Sequence, residues 1–163
     1  MDFGPLVKNN KVIVIVYYSK DNNTRTGANI LAEKIGAKVV ELKEVKKGNF
    51  IQALMQKGTT LTGNPWDEVK NAKRVYLMSP IWASNSVPAM NTFLEKADFK
   101  DKEIIIITFQ QFKDLRKSED VHKHFKNIIE MKKGKVLECH ALIGGKMGHF
   151  AGEDYIRMQM DKI

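Results

Sequence analysis

Cysteine is nearly missing from this sequence: Cys139 is the single one in 163 residues. An internal disulfide is therefore excluded, and so is a zinc site built from cysteines. A reducing compartment is the expected setting. Long apolar runs are missing too, since none approaches the roughly 18 residues that a membrane-crossing helix needs. The first residues, Met1-Asp2-Phe3-Gly4-Pro5, have neither the basic leader nor the apolar stretch of a secretory signal. Internal repeats, low-complexity tracts and linkers are also lacking. The expectation is a cytoplasmic protein away from membranes, with one domain over residues 1–163 and a core over about 11–160.

What is present is ordinary in bulk and uneven in charge. Hydrophobic residues make up 43% and charged ones 28%, as in soluble globular proteins, while the net charge is +8. Residues 113–135 hold eight basic side chains against four acidic ones, so half of the excess lies there. Two readings fit this run: a solvated helix face, or a landing surface for an acidic partner or anionic substrate. Nucleic acid is disfavoured, because few aromatics interleave the lysines and no binding module is visible.

Periodicity gives the architecture. Val12 to Tyr18 is an unbroken apolar, β-branched and aromatic run, the pattern of a strand buried on both faces. After it Ala28, Leu31, Ala32 and Ile35 recur with a helical period. Val39–Leu42, Arg74–Met78, Ile104–Ile107 and Val136–Ile143 read as further strands. A helix capped by Asn49 carries Ile51, Leu54 and Met55 and stops at Gly58. Pro88 starts another through Met90, Phe93, Leu94 and Ala97. Ser118 caps a helix with the stripe Val121, Phe125, Ile128 and Ile129, closed by Lys132, Lys133 and Gly134. Ile156, Met160 and Ile163 suggest a last one. Five β–α units in a row imply an α/β domain, a mostly parallel sheet with helices on both faces.

Ligands of such sheets bind at the carboxyl ends of the strands, and three loops there carry unusual content. Ser19-Lys20-Asp21-Asn22-Asn23-Thr24 combines hydroxyls, amides and the free N–H groups of a helix start. That suits a phosphate, and it equally suits an ordinary helix cap. Ser79 to Pro88 holds Trp82 between two prolines, either a flat surface for a planar heterocycle or a plug for the core. Thr108-Phe109-Gln110-Gln111-Phe112 places two amides between two phenylalanines. His122, His124, His140 and His149 lack metal-ligand spacing. Cys139 reads as an inert core thiol, and Gly144-Gly145-Lys146-Met147-Gly148 as a loop bordering a site opening.

These loops resemble those of the flavodoxins. Tyr18 to Thr24 stands where that family has a Ser/Thr-x-Thr-Gly-Asn-Thr phosphate loop. Met78-Ser79-Pro80-Ile81-Trp82 through Pro88, then Phe93-Leu94, is similar to the loop after the third strand. The resemblance implies a three-layer, doubly wound, five-stranded parallel sheet in the order 2-1-3-4-5, with FMN at its carboxyl edge. It implies that Ser19, Asp21, Asn22, Asn23 and Thr24 surround the phosphate. Pro80, Ile81, Trp82, Ala83, Ser84 and Asn85 would line the isoalloxazine, with Trp82 stacked on it. Phe109 or Phe112 would supply the opposite wall, and Gln110 between them would also belong to the cofactor site.

Asp21 and Asn22 stand where the family has Thr and Gly. Asn tolerates the left-handed backbone of Gly. A carboxylate about 5 Å from the phosphate costs about 3 kcal/mol at an effective dielectric near 20, offset by Lys20 and Arg25. The resemblance implies an electron carrier that exchanges one or two electrons with redox partner proteins. The basic run at 113–135 suggests that such partners are acidic. An NAD(P)H-dependent flavin or quinone reductase on the same fold is the alternative, and a cofactor-free binding module is a third.

Overall fold

The computed structural model describes residues 12–45, 58–82, 84–146 and 148–163. Strand β1 (Ile13–Tyr17) leads into helix α1 (Asn23–Ile35) and strand β2 (Lys38–Glu41). A 3-10 turn at Pro65–Val69 precedes β3 (Arg74–Trp82), the two-residue β4 (Asn85–Ser86) and α2 (Pro88–Lys96). Strand β5 (Glu103–Gln110), a 3-10 turn at Leu115–Ser118, α3 (Glu119–Met131), β6 (Lys135–Ile143) and α4 (Glu153–Met160) complete the chain. The sheet order is β2-β1-β3-β5-β6, all parallel, and β4 folds back antiparallel on β3. Leaving out that short hairpin strand, this is the expected order 2-1-3-4-5.

Alternation along the central strands explains the three layers. Val14 and Val16 point to one face, with Leu77, Ile104 and Ile106, and meet Phe93 and Leu94 of α2 and Phe125 and Ile129 of α3. Ile15 and Tyr17 point to the other, with Met78, Ile105 and Ile107, and meet Ala28 and Leu31 of α1 and Ile156 and Met160 of α4. The continuous apolar runs are what a strand covered on both sides requires.

Four expectations need correction. Ser79 to Trp82 is strand rather than loop, because β3 continues beside β5 as far as the pair Pro80–Phe109. Likewise Thr108, Phe109 and Gln110 belong to β5. Cys139 is exposed rather than in the core, because β6 is an edge strand whose residues are mostly open. Ser118 makes no capping bond to α3; its hydroxyl donates to the Leu115 carbonyl within the preceding turn. The helix expected after Asn49 lies outside the described residues.

Candidate functional site

A cleft of about 290 Å³ opens at the carboxyl ends of β1, β3, β5 and β6. Of the expected residues, Ser19, Asp21, Asn23, Thr24, Pro80, Ile81, Trp82, Ser84, Phe109, Gln110 and Phe112 line it. Asn22 and Asn85 do not, and Ala83 lies outside the described residues. Gly144 and Gly145 border it, as expected of that loop, and so do Lys20 and Gln111. Lys117 also lines it and was missed, since a lysine in a lysine-rich run carries no local signal.

The β1–α1 turn is built to leave amides open. Asn22 takes the left-handed conformation (φ 66°) at the cap of α1, and no side chain caps the helix. Its Oδ1 instead accepts a hydrogen bond from Arg25 Nη1 (2.5 Å). No acidic residue sits in the first turn, so the partial positive charge of the helix start is unbalanced. Ser19 adds a hydroxyl whose oxygen is buried without a partner among the described residues. Two side chains expected here are engaged elsewhere. Asn23 donates from Nδ2 to the His149 carbonyl (3.0 Å) and accepts at Oδ1 from Ala151 N–H (2.8 Å), pinning the loop after β6. Arg25 turns to β2, where it pairs with Glu41 and donates to Tyr17 Oη (3.3 Å), so it does not offset Asp21.

The aromatic residues divide by burial. Phe109 is core beneath α1; a Cβ on Gly27 would come within 2.8 Å of its Cζ, so the helix approaches β5 only because residue 27 is glycine. Trp82 is 4% exposed and packs edge-on against Tyr18, centroids 5.8 Å apart. Lys20 Nζ sits over the indole, 5.3 Å from its centroid. Phe112 is 54% exposed, with Lys117 Nζ 4.3 Å from its ring centroid. At the cleft an ammonium thus lies over the indole of Trp82 and another over the ring of Phe112.

Tyr18 Oη donates to Glu44 Oε1 (2.6 Å), and burial together with that carboxylate raises its pKa above the ordinary phenol range. Behind the cleft Thr108 Oγ1 and His122 Nε2 share a hydrogen bond of 2.7 Å. Burial, with a smaller contribution from the charge of His140, holds His122 down at about 4. Among the described residues no cluster of His, Cys, Asp and Glu is suited to a metal ion, and no helix is long and apolar enough to cross a membrane.

No protein-family model matches this sequence, and neither does any curated protein. Solved structures do match it. A flavoprotein from Lactobacillus acidophilus NCFM, solved in complex with FMN, is 16% identical over 80% of this chain and 93% of its own, with a TM-score of 0.65. A flavodoxin from Streptococcus pneumonia TIGR4 is 13% identical over 93% of each chain, with a TM-score of 0.58. The Trp repressor binding protein from Bacillus subtilis is 12% identical over 93% of this chain and 95% of its own, with a TM-score of 0.69.

This chain has the flavodoxin-like fold. The cleft of this flavodoxin-like domain lies where β1 and β3 leave the sheet in opposite directions, the switch point at which open α/β sheets take their ligands.

Proposed function

We propose that this protein binds FMN in the cleft and serves as an electron carrier between redox partners. The observation that carries the reading is the pairing of an uncapped helix start with the unsatisfied, buried Ser19 hydroxyl on one wall of one cleft. Backbone N–H groups of Asn23 and Thr24 and the Ser19 hydroxyl suit a phosphate. Pro80, Ile81, Trp82, Ser84 and Phe112 would hold the ring system, with Lys20 and Lys117 displaced from the indole and phenyl faces. Those two ammoniums also offset Asp21, the one carboxylate lining the cleft among the described residues. Bound FMN supplies the electron transfer; the chain supplies binding, orientation and the charge around it. The FMN complex of the similar Lactobacillus protein supports the choice of ligand.

Adding FMN to the purified protein tests this directly. Flavin absorption should shift and its fluorescence should be quenched, with riboflavin bound at least tenfold more weakly because it lacks the phosphate. A protein that leaves FMN free in solution overturns the reading. The carrier role further expects no NAD(P)H oxidation by the FMN-loaded protein alone; rapid turnover would make it a reductase instead.

A further inference from the structure

The side-chain amide of Gln110 is held in a single orientation by its neighbours. Its Nε2 donates to the carbonyl oxygens of Phe112 (2.6 Å) and Asp114 (2.8 Å). Both partners are acceptors, so reversing the amide would set oxygen against oxygen. Oε1 is consequently the atom left over. It is buried and has no donor among the described residues, in a side chain 5% exposed that lines the cleft. A buried acceptor lacking its hydrogen bond is unfavourable, and a ligand that brings a donor reverses that.

Resting on the FMN reading, we propose that Gln110 Oε1 accepts a hydrogen bond from the imide N–H of the ring system. It thereby selects a ring with a donor at that edge over one alkylated there. Placement singles out the ring end of the ligand. The phosphate site lies at the end of β1, and Gln110 ends β5, two strands away in the order β1-β3-β5. At the usual strand spacing that is about 10 Å across the sheet. Oxidised isoalloxazine has one N–H, that of the imide, and methylation removes it without altering the charge.

The test compares FMN with 3-methyl-FMN in the wild-type protein and in Gln110→Met. Wild type should prefer FMN by about tenfold or more, and the preference should fall to about twofold or less in the variant. Methionine also loses both bonds to the 112–114 segment, but that loss affects the two flavins alike, so their ratio isolates the acceptor. Equal binding by wild type, or a ratio retained in the variant, overturns the proposal. A second measurement needs no variant: a nuclear Overhauser contact between the imide proton of bound FMN and the Gln110 methylenes is expected, and its absence overturns the assignment. Wild type that binds neither flavin overturns the FMN reading itself, whereas binding without discrimination overturns the role of Gln110 alone.

Discussion

Ser19 carries a hydroxyl that no group among the described residues satisfies, so removing it separates two effects. In the ligand-free protein Ser19→Ala should leave stability unchanged or slightly raised, by urea denaturation. FMN affinity should fall about tenfold, the loss of one hydrogen bond to a charged group, while riboflavin affinity stays the same. Equal losses for both ligands would move Ser19 away from the phosphate. His122 gives a pH-dependent counterpart. Its folded value of about 4 lies below the usual 6.5, so between those pH values the unfolded chain binds the extra proton. Stability is then full above pH 6.5 and declines as pH falls to about 4, by about 2 kcal/mol once partial exposure is allowed for. Urea denaturation at pH 7 and 4.5 should show that decline, and His122→Gln should flatten it. Ser19 was legible in the sequence because a hydroxyl beyond a buried strand sits where parallel sheets bind ligands. The commitment of Asn23 to His149 and Ala151 was not, since its partners are more than a hundred residues away.

Elements show the same contrast between local and distant causes. The helices and strands that could be read had continuous apolar runs or a clear helical stripe, and both are local properties. The true end of β3 was hidden by Pro80, which reads as a loop signal. Pairing with β1 stops at Tyr17–Met78, so past that point β3 is flanked by β5 alone on that path. There it behaves as an edge strand, where a missing N–H is tolerated. The end of α3 was placed correctly, yet by a different residue. Lys133, not Gly134, takes the left-handed backbone (φ 64°), and Gly134 N–H bonds Ile129 O (2.9 Å) while Lys133 N–H bonds Glu130 O (2.9 Å). Residue 134 is glycine for space: a Cβ there would meet Ile129 Cγ2 at 2.7 Å and the Phe99 carbonyl at 3.0 Å. Gly134→Ala should therefore cost about 1–3 kcal/mol in denaturant unfolding; an unchanged midpoint would mean that Phe99 and Ile129 give way. Lys132, beside it, donates to the Leu94 (2.6 Å), Glu95 and Ala97 (2.9 Å) carbonyls at the end of α2. Burial lowers its pKa. Lys132→Met should leave those carbonyls short of a donor and cost about 1–3 kcal/mol, read as a drop in thermal midpoint.

Across the whole molecule the +8 charge is distributed by α3. The 113–135 run does not form one patch, because α3 carries the chain from the cleft end of the sheet to the opposite end. Its 13 residues span about 20 Å. Lys113, Arg116 and Lys117 precede it beside the cleft, and Lys132, Lys133 and Lys135 follow it at the far end. Lys132 is engaged with carbonyls, Arg116 with Asp114 (3.0 Å), and Lys126 with Glu130 (3.8 Å). A docking partner at the cleft would therefore sense Lys113, Lys117 and Lys20 far more than the lysines beyond the helix. Small oxidants of opposite charge measure that field without any choice of partner. With reduced, FMN-loaded protein, reoxidation by the ferricyanide anion should slow as salt rises, and reoxidation by a hexaammine metal trication should quicken. The change should be concentrated between about 0.01 and 0.1 M salt, as the screening length falls from about 30 to 10 Å. Lys113→Glu combined with Lys117→Glu should flatten or invert both slopes. Lys133→Glu combined with Lys135→Glu alters net charge equally but acts from about 20 Å away, and should leave the slopes mostly intact. Equal effects from the two pairs would show that net charge alone steers the oxidant, and that the cleft has no positive field of its own.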